Sequence, residues 1–398
     1  MSNPLGTTIG DYITLQRGFD ITKKEQTVGC YPVVSSGGIS SYHNEFRAAG
    51  PGVIIGRKGT LGSAFYVDSD YWPHDTTLWV KDFKGNNPKF IFYFLKKLGL
   101  ERLDSGSSNP TLNRNFVHQI KAELPEKKTQ IKISTVLSEI DKKIELNNRI
   151  NAELEAMAKT LYDYWFVQFD FPAAKGKPYK TSGGKMVYNP TLKREIPEGW
   201  TVVQLEEIIE HSGTGLNPRN NFKLGTGDNY YVTIKNVTDG KIALDDKCDK
   251  IDDEALTIID RRSQLRPGDV LFTSIQPVGV TYLIQEKPTN WNINESVFTL
   301  RPNSSKVTPA YLYMLLSSKE MKAFTRNCSS GSVHKGIRHG VLKSFQLAHG
   351  EKEIVDRFSR IVEPMFMQIH SLEKESAELA KLRDWLLPML MNGQVTVK

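Results

Sequence analysis

A single constant shift lays one helical pattern of this chain on another without a gap. In the first, Ile133, Leu137, Ile140, Ile144, Leu154, Ala158, Leu161 and Trp165 fall on alternating three- and four-residue steps, and Asn147 and Asn151 fill the remaining seam positions. The shift that matches Ala152-Glu153-Leu154 to Ala377-Glu378-Leu379 turns that seam into Phe358, Val362, Met365, Ile369, Leu372, Ser376, Leu379, Arg383, Leu386 and Leu390. An apolar repeat every 3.5 residues marks helices that pack along a seam. The same register twice predicts that these two helices pair with each other, as a rod of about 55 Å at ~1.5 Å per residue. Antiparallel pairing is the simpler expectation, with a pseudo-two-fold axis relating the halves and a domain at each end. Buried asparagines would fix the register at some cost in stability. Pro364 breaks the second pattern and predicts a helix that begins properly near Met365.

The segments that precede the helices also correspond. Pro51-Gly52-Val53-Ile54-Ile55-Gly56 answers to Pro267-Gly268-Asp269-Val270-Leu271-Phe272, a turn and then a short apolar strand. Asn87-Pro88 and Thr308-Pro309 each offer a capping residue and a first-turn proline ahead of an apolar run, which predicts a helix start. Each half then carries a Gly-Ser loop, Gly106-Ser107-Ser108-Asn109 in one and Gly331-Ser332-Val333-His334 in the other. With 398 residues, two or three domains are expected. The predicted class is α+β: two similar α/β domains separated by a long antiparallel two-helix coiled coil.

Charge matters here by placement. The net charge is +7 and there are 45 acidic residues, yet residues 105–122 and 321–350 contain none. The two windows cover the two Gly-Ser loops and hold Arg114, His118 and Lys121 in one and Lys322, Arg326, Lys335, Arg338 and Lys343 in the other. Catalytic patterns are missing. There is no phosphate-binding Gly-x-x-x-x-Gly-Lys-Ser/Thr loop, no dinucleotide fingerprint and no His-Glu-x-x-His. Asn109-Pro110 and Asn189-Pro190 match an adenine-methyltransferase loop only in two residues common to turns. His74-Asp75 has the counterpart Asn294-Glu295, which lacks the imidazole, so a polar brace is the expected role. Cys30, Cys248 and Cys328 lie too far apart for a metal-ligand pair. No apolar run suits a membrane span and the polar start is unlike a signal peptide, so a cytoplasmic chain is expected.

Two similar domains on a spacer suit recognition of two separated sites on duplex DNA, where one helical turn is about 34–36 Å. Polar loops supply what such reading needs: backbone N–H groups for phosphates, and Ser, Asn, Gln and Arg for base edges. The candidates are Arg57, Lys58, Ser107, Asn109 and Arg114 in the first half, and Thr273, Ser274, Gln276, Ser332, His334, Lys335 and Arg338 in the second. A coiled-coil scaffold with protein-binding end domains and a self-sufficient DNA methyltransferase are the competing readings.

Four motifs in order carry a family resemblance. The run Tyr164-Trp165-Phe166-Val167-Gln168-Phe169 resembles the SWFVDF end of the central helix in specificity subunits of type I restriction-modification systems. Ile196-Pro197-Glu198-Gly199-Trp200 is similar to the IPEGW opening of that family's second target-recognition domain, and Leu386-Leu387-Pro388-Met389-Leu390 to its LLPKLL tail. Leu137-Ser138-Glu139-Ile140-Asp141-Lys142-Lys143-Ile144 matches the start of its central helix. The resemblance implies target-recognition domains at 1–125 and 196–350, helices at 126–170 and 351–398, and a linker at 171–195. It implies that each domain binds half of a bipartite DNA target, and that the coiled coil docks two modification subunits, with Trp165, Phe166 and Phe169 as candidate docking residues. Restriction (motor-nuclease) subunits complete such complexes. No cofactor is expected on this chain; S-adenosylmethionine, ATP and Mg belong to the partners. Gln168 stands where the family usually has Asp, and Asn392 where Ser is common.

Overall fold

The computed structural model describes residues 7–102, 111–173, 176–238, 240–328 and 336–397. The chain forms two compact units, Met1–Asn147 with Glu375–Lys398, and Asn148–Lys374. Each unit holds one mixed domain and a stretch of both long helices, Lys127–Tyr162 and Lys352–Met391. No helix among the described residues is long and apolar enough to cross a membrane.

In the first unit an antiparallel sheet runs in the spatial order Thr14–Arg17, Thr77–Asp82, Gly52–Gly56, Ala64–Val67. A smaller sheet pairs Tyr31–Ser35 with Gly38–His43 antiparallel and with Trp72–Pro73 parallel. The helix Pro88–Lys97 starts where expected: the Asn87 side chain accepts from the Phe90 N–H at 2.9 Å and Pro88 opens the first turn. Its buried Phe90, Ile91, Phe94 and Leu95 share a core with Val53, Ile55, Leu78 and Val80. Ile133, Leu137, Leu387 and Leu390 from the two long helices close that core. Burial holds the His118 pKa below its ordinary range, so the neutral ring accepts the Leu15 N–H at 2.9 Å.

The two helix stretches of this unit run antiparallel. Arg383 donates to Asp141 at 2.8 Å, and Asn147 to Glu375 at 2.8 Å and Ser376 at 3.2 Å, so numbers rise along one helix as they fall along the other. Arg383 takes a seam position without a penalty for an unpaired charge, because Asp141 also accepts the Tyr93 hydroxyl at 2.6 Å.

The second unit repeats the plan strand for strand. Its larger sheet runs Ile209–Thr214, Val297–Pro302, Val270–Thr273, Thr281–Leu283. Its smaller sheet pairs Asn229–Val232 with Asp249–Ile251 antiparallel and with Trp291–Ile293 parallel. Thr308 caps Pro309–Ser317 as Asn87 caps its counterpart. Ala158, Tyr162, Trp165 and Phe166 from one long helix and Phe358, Val362, Phe366 and Ile369 from the other enter one core with Val270, Leu300, Tyr311 and Leu315. The fold is therefore α+β, with one mixed domain present twice.

Four details depart from the sequence reading. Hydrogen bonding matches Gly56 to Thr273: the first N–H reaches Ser63 and the second Val280, while Gly62 and Gly279 return to Gly56 and Thr273 at 2.9 Å each. That is one residue away from the register suggested by the shared Pro-Gly pairs. Both strands are buried along their whole length, so no in-out alternation was available to set the register. Pro364 does not delay the second helix, which is continuous from Lys352. Tyr162 and Phe366 are buried where Leu161 and Met365 were expected, the drift of a 3.6-residue turn against a 3.5-residue seam. Finally, the stretch read as a linker contains a hairpin, Met186–Asn189 with Arg194–Pro197, and buries Phe171.

Candidate nucleic-acid interface

In each domain the chain returning from the Gly-Ser loop is stitched to the same sheet end. In the first, Arg57 and Lys58 follow the strand Gly52–Gly56 and both donate N–H to the Thr76 carbonyl, at 2.8 and 3.1 Å. The Leu112 N–H then donates to the Arg57 carbonyl at 2.9 Å, beside a bridge between Lys58 and Thr111. In the second, the Ser274 N–H donates to Ser296 and the Ile337 N–H to Ser274, at 2.9 and 2.8 Å, beside a bridge between Ile275 and Gly336. The turn below is also repeated: the His74 N–H reaches Val34 and the Asn294 N–H reaches Val232, both at 2.9 Å. Gly18 and Gly215 pass that turn so closely that a Cβ would lie 2.1 Å from the His74 carbonyl and 1.6 Å from the Ile293 carbonyl.

The side chains on this shared frame differ in charge. In the first domain, Arg17 donates to Asp75 at 2.9 Å, and His74 Nδ1 lies 3.1 Å from the other Asp75 oxygen. Arg57 is half-buried; one Nη has no protein partner among the described residues, and burial with the neighbouring Arg17 holds its pKa below the usual value. Arg17, absent from the sequence candidates, is exposed at the cluster's edge. In the second domain Thr214 occupies the place of Arg17, since Arg17 pairs with Leu78 and Thr214 with its counterpart Phe298. Ser274 occupies the place of Arg57. Asp20, His74 and Asp75 bring three potential metal ligands within 4.8 Å, and Asp75 is already engaged by Arg17.

The remaining candidates separate clearly. Thr273 and Ser274 are buried and internally bonded: the Thr273 hydroxyl donates to the Pro277 carbonyl and accepts from the Val280 N–H, and the Ser274 hydroxyl donates to Ser296 at 2.8 Å. Both hydroxyls are engaged by the chain's own backbone. Lys58 is half-buried, while Arg114, Gln276 and Arg338 are exposed. Ser107, Asn109, Ser332, His334 and Lys335 lie outside the described residues.

Sequence reading missed a basic hollow in the second domain. Gln276, Pro277 and Val278 form one wall, and Lys319, Lys322, Thr325 and Arg326 of the helix Lys319–Cys328 form the other. The signal was present, since Lys322 and Arg326 stand in the acid-free window.

Trp165, Phe166 and Phe169 are core residues, buried among Tyr162, Tyr311 and Phe358, with Phe166 packed edge-on to Phe358 at 5.1 Å. They lie on and just beyond a π-helical turn, Asp163–Val167, which Arg194 secures by donating to the Val167 carbonyl at 2.9 Å and covering the Phe169 ring. Of the three, Phe166 also lines a cavity with Tyr162, Val167 and Tyr311.

A mixed domain present twice, with the same backbone stitch at the same sheet end in each copy and paired helices in each unit, defines a protein of duplicated domains. The model of the type I restriction modification DNA specificity domain matches residues 7–156 and 197–378, and the chain belongs to that family. A type I restriction enzyme specificity subunit (MjaIX) of Methanocaldococcus jannaschii is 24% identical over 327 residues, 78% of this chain and 69% of that one. The HindI specificity subunit of Haemophilus influenzae is 22% identical over 338 residues, covering 72% and 71%. The crystal structure of a type I restriction-modification S subunit from M. genitalium shares the fold, with a TM-score of 0.63 at 15% identity over 98% of this chain and 97% of that one.

Proposed function

We propose that this chain is the DNA-specificity subunit of a type I restriction-modification complex, each domain recognising one half of a bipartite duplex target. Family membership makes it the recognition component, with catalysis on other subunits. The observation that carries the two-site reading is the repeated stitch, Leu112 to Arg57 and Ile337 to Ser274, which ties the chain to the same sheet end in both domains. One frame carrying Arg17 and Arg57 in the first copy, and Thr214 with Arg262 beside it in the second, supports two different target sequences.

The recognition domains are assigned to 1–125 and 196–350. Arg57, Lys58 and Arg114 with Arg17 serve the first half-site, and Gln276 and Arg338 the second. Two modification subunits, which bring S-adenosylmethionine, dock on the long helices, and motor-nuclease subunits with ATP and Mg complete the complex. Exposed apolar side chains support this docking: Leu382 and Trp385 in the first unit, Met157, Ile361 and Met367 in the second. A scaffold with protein-binding ends would leave Arg17 and Arg57 of the first domain and the basic hollow of the second without a role.

Selection from a pool of random duplexes by this chain, assembled with its modification subunits, tests the reading. The expected yield is two short defined blocks separated by a constant gap. A pool recovered without enrichment, or with a single uninterrupted block, contradicts it.

A further inference from the structure

At the frame shared by the two domains, Thr214, Ser274 and Ile275 stand where the first has Arg17, Arg57 and Lys58, and Arg262 reaches the Thr214 hydroxyl at 3.1 and 3.2 Å. Phosphate contacts supply a large share of duplex affinity, so exposed cations without an ion-pair partner elsewhere in the second domain are candidates for such contacts. Three such cations stand on the helix Lys319–Cys328. Lys319, Lys322 and Arg326 are exposed and share one face at spacings of three and four residues. Met321 is buried on the opposite side, and Glu320 points away from this face into a separate cavity beside Tyr162 and Tyr311. Among the described residues none of the three cations is in an ion pair, and no carboxylate lines the hollow they share with Gln276, Pro277 and Val278.

The first domain is built differently at the matching place. Gly62 and Gly279 are equivalent, each donating N–H to its strand end at 2.9 Å. A Cβ on Gly62 would meet the Glu101 N at 2.3 Å, because the short turn Leu100–Arg102 closes over it. A Cβ on Gly279 would instead meet the Phe272 ring at 3.5 Å and the Thr325 hydroxyl at 3.8 Å, because the basic helix stands farther off and leaves the hollow open.

We propose that Lys319, Lys322 and Arg326 form a sequence-independent seat for the DNA phosphodiester backbone, which holds the second domain on its half-site while Gln276 and the adjoining loop read bases. The three side chains span about 10 Å along the helix axis. At a rise of about 3.4 Å per nucleotide that covers roughly three phosphates of one strand. The inference rests on the DNA-specificity reading above.

The test compares the assembled complex of wild-type chain with that of the triple variant Lys319→Gln, Lys322→Gln, Arg326→Gln, by measuring duplex affinity from low to high salt. Each phosphate contact contributes about 0.9 to the slope of log affinity against log salt, so the variant's slope is expected to fall by about 2–3. The methylated sequence stays the same, because backbone contacts position the domain without reading it. An unchanged slope in a variant with wild-type melting behaviour overturns the seat. Loss of complex assembly at unchanged DNA affinity overturns it as well, assigning the face to an acidic protein partner. If the wild-type complex itself binds no duplex, the failure belongs to the DNA-specificity reading.

Discussion

Asp269→Ala is expected to destabilise the second unit by about 3–5 kcal/mol, the loss that follows when one partner of a buried ion pair is removed. Asp269 is fully buried, and Arg301 is only 11% exposed in its side chain. The guanidinium donates to both carboxylate oxygens, at 2.7 and 2.8 Å, and the Arg266 N–H adds a third bond at 2.9 Å. Arg301 also donates to the Gln264 carbonyl at 2.7 Å, which keeps it in place after truncation with its charge unpaired. Asp269 leads into the strand Val270–Thr273, whose end is stitched to Ile337 through Ser274, so the proposed second half-site is expected to lose DNA binding along with stability. Urea unfolding of the variant checks the figure. The exposed pair Lys142–Glu139 supplies the contrast: Lys142→Ala is expected to leave the unfolding midpoint unchanged. An Asp269→Ala loss below about 1 kcal/mol would mean that the guanidinium regains water.

Trp385→Ala is expected to weaken binding of the modification subunits by at least about 2 kcal/mol, or roughly thirtyfold, the scale of an aromatic anchor at an interface centre. Trp385 is 55% exposed on the closing helix beside exposed Leu382, while Leu387 and Leu390 on the same helix face the core. Truncating an exposed side chain leaves the isolated chain's stability within about 0.5 kcal/mol. Titration of labelled chain with modification subunits separates the two quantities. Full affinity in the variant would move the docking face away from this stretch.

How far the sequence spoke for itself depended on which periodicity a segment kept. The helix seams were legible because a 3.5-residue repeat persisted through polar positions: Asn147 and Asn151 are buried where the seam predicted them, and Arg383 resolves into an ion pair with Asp141. Strands buried on both faces carry no such alternation, which is why the match between Gly52–Gly56 and Val270–Thr273 slipped by one residue. Thr273 and Ser274 were chosen for their hydroxyls, and hydroxyl chemistry is equally suited to tying a loop to its own backbone. Trp165, Phe166 and Phe169 illustrate the same ambiguity for aromatic residues, which serve cores and interfaces alike. Lys319 escaped notice because Glu320 follows it directly; only the helix separates their faces and brings Lys319 beside Lys322 and Arg326. Arg17 lies some forty residues before Arg57 in the chain, and only strand pairing brings both to one cluster with Asp75.

The most direct test of two domains reading two half-sites is to map the methylated sequence in cells carrying the chain with its modification partner, before and after residues 7–122 are replaced by the corresponding domain of a relative with a different target. One block of the bipartite motif should change to the donor's, while the other block and its gap to the first persist. Replacement of both blocks, or of neither with methylation intact, would contradict the assignment of one half-site to each domain.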